Sequence, residues 1–236
     1  MKIEILYPEV CYLFGDLQNI AYLHRCIPEA EIIRTSLKSE PAFSSGEVDL
    51  IYLCSMTEHA QELVINALRP YKEKIESLIG NGTIFLVTGN ALEIFIKDIQ
   101  NEDGTKIEAL GLFDLTAKRH MMDRYNSLWL GKFGEIHMVG LKSQFAHTYG
   151  SDGDSLFETV RGAGRNPDVK PEGIRKNNFM ATYVLGPLLI MNPLFTKYLM
   201  SLLGCGDRPL AYEEAAMDSY NLRLQEYSDP KRGIDY

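Results

Sequence analysis

Apolar residues recur along the chain with two alternating periods. The runs Lys2–Tyr7, Glu31–Thr35, Leu50–Cys54 and Ile84–Thr88 are short and rich in Ile, Leu and Val, the pattern of buried strands. Between them, Leu17–Cys26, Glu58–Leu68 and Tyr71–Ile79 place apolar side chains at helical spacing, which predicts crossover helices packed on one face. This alternation predicts an α/β fold of three layers around a mostly parallel central sheet. From Ala109 the segments shorten: Ser127–Gly131, Ile136–Leu141 and Ala181–Val184 alternate between Gly and charged turns and predict antiparallel strands. Gly150–Arg175, with five glycines and two prolines, reads as a long surface excursion. A charged helix over about Ala211–Tyr227 precedes a polar tail, so the predicted organisation is one domain over 1–236 with a C-terminal helix and tail at about 211–236.

Composition narrows the function classes. Twenty-four basic against 32 acidic residues give a net charge of −8, the wrong sign for a protein that neutralises phosphate backbones, so no nucleic-acid partner is expected. The longest apolar run, Tyr183–Met191, is interrupted by Gly186 and Pro187 and is too short for a membrane span. The first residues read as a strand rather than a signal peptide, and Cys11, Cys26, Cys54 and Cys205 lack paired spacing. The expectation is a soluble cytoplasmic protein with four free thiols.

In an open parallel sheet, ligands collect at the carboxyl ends of the strands, which directs attention to Cys54–Thr57 and Thr88–Asn90. The segment Gly82–Leu92 has strand, sharp turn and helix in succession, the context in which a nucleophile is presented at a helix N-terminus. Thr88 would stand at the nucleophile position. A β-branched residue tolerates positive φ poorly, and the plainer reading is that Thr88 or Asn90 caps a helix. Of the five histidines, His24 and His137 fall in structural patterns, while His59 and His147 are better placed as bases; a Cys54–His59 thiol–imidazole pair is conceivable. The run Asp152-Gly153-Asp154-Ser155 is half of a calcium loop without its closing Glu and reads as a solvated turn. No metal or nucleotide motif is present, and no cofactor is expected.

Several landmarks recur in a known order: Gly15-Asp16-Leu17-Gln18-Asn19-Ile20, then Asp103–Asp114, then Glu172-Gly173-Ile174-Arg175, Asn177, Ala181-Thr182-Tyr183, Gly186-Pro187 and Asn192-Pro193. In these the chain resembles the class I glutamine amidotransferase-like proteins of the CobB/CobQ group, and most closely the GatD-type glutaminase subunits of lipid II isoglutaminyl synthase. The resemblance implies a flavodoxin-like three-layer fold. It also implies an attacking Cys at the turn after the fourth strand and a His in Gly-Thr-Tyr-x-His-Gly-Pro, where this chain has Thr88 and Leu185. The family's Gly-rich oxyanion turn is matched by Cys54-Ser55-Met56-Thr57, and its Glu-Asn-His run by Lys142-Ser143-Gln144. A thiolate nucleophile and its proton carrier are lost together, and leucine can supply neither role. The implied reading is a degenerate member whose old pocket comprises Cys54, Ser55, Gly89, Asn90 and Gln144. It would act as a structural or regulatory partner of a Mur ligase-like, ATP-dependent amidating subunit. The alternative is a pocket refitted for another small-molecule reaction or for binding an amino acid.

Overall fold

The computed structural model describes residues 1–150 and 155–234, so the Asp152–Asp154 turn lies outside the described residues. The first half alternates strand and helix: β1 (Lys2–Leu6), α1 (Gln18–Cys26), β2 (Glu31–Thr35), α2 (Ala42–Ser45), β3 (Leu50–Leu53), α3 (Glu58–Leu68), α4 (Lys72–Gly80) and β4 (Ile84–Thr88). Every residue of β3 and β4 is buried, as expected of strands covered on both faces by crossover helices. After β4 the chain makes strands β5 (Ile96–Gln100), β6 (Lys106–Glu108), β7 (Phe113–Arg119), β8 (Tyr125–Phe133), β9 (Ile136–Gln144), β10 (Ala146–Gly150), β11 (Phe157–Arg161), β12 (Pro171–Glu172), β13 (Ile174–Lys176) and β14 (Phe179–Thr182). Helices α5 (Leu188–Met191), α6 (Pro193–Leu202) and α7 (Glu213–Ser228) close the described chain.

The main sheet has the order β13-β14-β4-β3-β1-β2, parallel except for the β13–β14 pair. Two further four-stranded sheets, β10-β7-β5-β6 and β12-β11-β8-β9, carry the antiparallel pairings, together with one parallel pair, β5–β7. The hairpin predicted from Ser127–Gly131 and Ile136–Leu141 is β8–β9. Two expectations need correction. The Ala181–Val184 segment is antiparallel on one side only: β14 pairs antiparallel with β13 but parallel with β4, with Thr182 opposite Thr88. The stretch 150–175 is not simply a surface excursion, because it contributes β11, β12 and the buried residues Phe157, Thr159, Glu172 and Ile174. Its Gly and Pro content masks a period-two alternation, Phe157 and Thr159 in, Glu158 and Val160 out.

Two contacts bring the end of β14 to its place. Leu185 exchanges backbone hydrogen bonds with Leu141 on β9 (2.9 and 3.1 Å). Gly140 permits this approach, since a β-carbon there would overlap Val184 and lie 2.8 Å from the Leu185 carbonyl. Beside it, the fully buried Lys142 donates to Glu172 Oε2 and to the Gly164 carbonyl, both at 2.5 Å. Glu172 Oε1 accepts from Thr182 Oγ1 and the Tyr183 N–H, each at 2.9 Å. Among the described residues, no helix is long and apolar enough to cross a membrane. All four cysteines are free thiols, three of them buried.

Candidate functional site

Because β1, β3 and β4 run parallel and adjacent, their carboxyl ends bring three loops together. The first carries Asp16, the second Cys54–Thr57 and the third the turn after Thr88. The third loop has the shape of an elbow, but its strained point is one residue later than the sequence suggests. Thr88 is extended (φ −120°, ψ 149°), and Gly89 takes the left-handed conformation (φ +64°). The predicted helix is a six-residue 3₁₀ turn, Gly89–Ile94, because the alternating Ile96–Gln100 segment leaves at once as β5. A turn this short offers no helix dipole for an anion.

The left-handed position is filled from outside. A β-carbon on Gly89 would overlap Ser55 Oγ and would lie 3.0 Å from Ser55 Cβ and 3.2 Å from Leu185 Cδ2. Leu185 therefore stands beside the elbow, and its side chain is fully buried. Ser55 is fixed there because its hydroxyl donates to Asp16 Oδ2 (2.6 Å). Thr88 Oγ1 donates to the same oxygen (2.9 Å) and lies 3.1 Å from the Tyr52 hydroxyl. Among the described residues Asp16 Oδ1 has no partner, and burial raises the Asp16 pKa against the opposing hydrogen bonds from Ser55 and Thr88.

Two backbone donors of the β3–α3 turn are also engaged. The Ser55 N–H faces Asp16 Oδ2 at 3.4 Å, and the Met56 N–H donates to Asn90 Oδ1 (3.0 Å), whose Nδ2 returns a bond to the Met56 carbonyl (2.7 Å). Thr57 caps α3 by accepting from the Ala60 N–H (3.2 Å). Cys54 and His59 do not form the conceivable couple. The Cys54 thiol is buried and donates to the Cys11 carbonyl (3.0 Å), while His59 is exposed on α3. Burial, reinforced by the Asp16 charge, pushes the Cys54 pKa upward, the opposite of what a thiolate nucleophile needs.

A cavity of about 120 Å³ adjoins the elbow, lined among others by Phe14, Met56, Gly89, Asn90, Glu93, Arg119, Arg124 and Gln144. Gly89, Asn90 and Gln144 of the expected set meet here; Cys54, Ser55, Thr88 and Leu185 lie behind its wall. Gln144 Nε2 donates to the Ala146 carbonyl (2.6 Å), leaving its buried Oε1 without a partner. Arg119 donates to Asn101 Oδ1 (3.0 Å) and Gln61 Oε1 (2.7 Å), leaving Nε without one. Glu93 accepts from Gln61 Nε2 (3.0 Å) and the Tyr183 hydroxyl (3.1 Å). Burial raises its pKa to about 7, moderated by Gln61, the Arg119 charge and Tyr183. His147, 3.2 Å from Gln144 Nε2, is lowered to about 4 by burial and by the Lys142 charge. Among the described residues no cluster of His, Cys, Asp or Glu is arranged to hold a metal ion.

Sequence reasoning missed Arg119, Glu93 and the site role of Asp16. Asp16 sits inside a landmark already singled out, and Glu93 is a lone charge in the apolar run Ala91–Ile96, a signal that was available.

No family model matches the chain. It is 25% identical over 211 residues to the lipid II isoglutaminyl synthase (glutamine-hydrolyzing) subunit GatD of Staphylococcus aureus, covering 88% of this chain and 85% of that protein. The subunit of the same name from Streptococcus pneumoniae is 23% identical over 251 aligned positions, covering 100% and 94%. Among solved structures, a glutamine amidotransferase aligns with a TM-score of 0.52 at 14% identity (85% of this chain, 98% of that one). A glutamine amidotransferase from Thermotoga maritima aligns with a TM-score of 0.55 at 11% identity (95% and 94%). The chain thus has a class I glutamine amidotransferase-like fold, and over most of its length its sequence is similar to GatD subunits.

Proposed function

We propose that this protein is a non-catalytic glutamine amidotransferase-like subunit, retained as a structural or regulatory partner of a Mur ligase-like amidating enzyme in the cytoplasm. The observation that carries the reading is the elbow. Its left-handed residue is Gly89, the residue before it is a Thr whose hydroxyl is committed to Asp16, and the neighbouring position that would need an imidazole is Leu185. Attack on a carboxamide needs a nucleophile, a proton carrier and oxyanion donors together. Here the turn's Met56 N–H is held by Asn90, which supports the loss of the third element as well.

A cavity of about 120 Å³ lined by Arg119, Arg124, Glu93 and Gln144 favours a second reading, in which the pocket still binds a small amino-acid-like ligand without turning it over. A thermal shift with free amino acids tests it.

The direct test of the main reading is ammonia release from glutamine by the purified chain, expected at background. Activity above background that is lost in Thr88→Ala would overturn it. Thr88→Cys with Leu185→His should recover little turnover, because an oxyanion donor alone is worth about 10²–10³ in rate and the extended residue 88 does not occupy the elbow's strained point. Isolation of the chain from its host with its bound proteins tests the partner.

A further inference from the structure

Of the 16 residues of α7 only Tyr220 and Tyr227 are buried, whereas α3 buries five of 11 and α6 five of 10. The two tyrosines are seven positions apart and so lie on one face of the helix. They cover the outer face of the β8–β9 hairpin, where with Leu130, Val139 and Met191 they form a small apolar cluster apart from the main core. The adjacent residues Trp129 and Met138 alternate to the other side and belong to the main core. The Tyr220 hydroxyl also donates to the His137 carbonyl (2.9 Å).

The two ends of this helix are fastened differently. At the near end the chain is tied down where the helix begins. The Tyr22 hydroxyl donates to the Ala211 carbonyl (2.9 Å), Arg25 donates to the Tyr212 hydroxyl (3.2 Å), and Lys197 pairs with Glu213 (3.4 Å). Tyr212 itself is left-handed (φ 54°, ψ 41°), a sharp bend between this anchor and the helix. At the far end the fastening centres on Arg161, the last residue of β11. One guanidinium nitrogen donates to the Tyr227 and Asp229 carbonyls, the latter at 2.8 Å, and the other to the Arg232 carbonyl (2.7 Å). β11 pairs with β8 only as far as Leu130, and Gly162 then turns the chain at φ +96°. Two residues along β8 from there, the Leu128 N–H is taken by the Ile234 carbonyl (2.8 Å). Arg232 pairs back to Glu226 on the helix (3.3 Å), so helix and tail are joined to each other.

We propose that α7 and residues 229–234 are a strap that opens as one unit about Tyr212, with Arg161 as its catch. Opening gives up the small outer cluster and the bonds to one guanidinium, and it leaves every strand of the main sheet paired, which makes it far less costly than global unfolding. Charged donors to carbonyls are the stronger kind of hydrogen bond, so the catch sets much of the opening equilibrium. Open, the strap bares Leu130, Val139 and Met191 beside an unpaired Leu128 N–H. Closed, it withholds this apolar face and its strand edge together.

The test is amide hydrogen exchange of the full chain followed by NMR. The Leu128 amide and the amides of α7 should exchange through one shared opening, faster than those of β3 and β4, which report global unfolding. Arg161→Gln should speed exchange at Leu128 and in α7 by about tenfold and leave Leu50–Leu53 and Ile84–Thr88 unchanged. A chain ended at Ser228 keeps Arg161 but lacks the Asp229, Arg232 and Ile234 carbonyls, and it should speed α7 by a similar factor; if Arg161→Gln does not fold, this variant decides alone. Protection of α7 equal to that of β3 and β4 in the native chain would overturn the proposal. So would exchange at α7 that neither variant changes, or an acceleration spread equally over α7 and the main sheet.

Discussion

Asp16 and Glu172 are both carboxylates with no exposed surface, and the chain surrounds them in opposite ways. Glu172 has a cation, Lys142, on one oxygen and a hydroxyl and an amide on the other. Asp16 has no cation among the described residues: the Ser55 and Thr88 hydroxyls and the Ser55 N–H crowd onto one oxygen, and the other meets no donor there. The first arrangement closes a joint between β9, β12 and β14, and everything it touches belongs to the frame. The second lies at the elbow, where polar groups outnumber their uses. Satisfied burial marks what holds the fold, and unsatisfied burial marks a polar group that the frame does not use.

The contrast can be broken by removing one side of each group. Lys142→Met leaves Glu172 charged in the interior without its cation and should cost about 3–5 kcal/mol in urea unfolding, with much of that recovered by adding Glu172→Gln. A small loss in the single variant would show that the pair is not the joint described.

Glu93 comes next, through pH. Burial makes its carboxyl hold a proton more tightly in the folded chain, with a pKa of about 7 against an ordinary 4.5. The folded state therefore binds more protons than the unfolded state between those values. The stability this group contributes is full below pH 4.5 and lost as pH rises through 7, on the order of 3 kcal/mol. His147 acts in the opposite sense: its folded pKa is depressed to about 4, so its contribution is lost as pH falls from 6.5 through 4. The two slopes oppose each other between pH 4.5 and 6.5. The difference between the native chain and Glu93→Gln, followed by urea unfolding from pH 4.5 to 8, isolates the Glu93 part. A difference that does not vary with pH would refute it.

Asp16→Asn should have the smallest effect, under about 1 kcal/mol, because an Asn oxygen still accepts from Ser55 and Thr88 and no cation is orphaned. A loss as large as that of Lys142→Met would erase the distinction between the two sites.

The strands and crossover helices of the first half were legible because their periods are clean: β1, β2, β3 and β4 fall within one residue of the predicted runs. The placement of β14 was not, since a run of four largely apolar residues does not say which neighbour it pairs with. Leu185 was located beside the elbow by motif order, a signal independent of periodicity. The identity of the strained residue was lost because two successive residues, Thr88 and Gly89, fit the turn, and only backbone angles separate them. Arg119 was invisible as a site residue because it is the last position of a strand with ordinary alternation.

Ser55 seated against Gly89 also sets an order on change. A chain that first gains any side chain at 89 places it on top of the Ser55 hydroxyl, which Asp16 restrains. A chain that first loses the Ser55 side chain opens the space and can then accept a residue at 89, provided that residue tolerates a left-handed backbone. Of the two orders of substitution leading to a side chain at 89, one runs through an obstructed intermediate and the other does not. Gly89→Cys should therefore be tolerated better after Ser55→Gly than before it, so the present pair acts as a ratchet with residue 55 as its pawl.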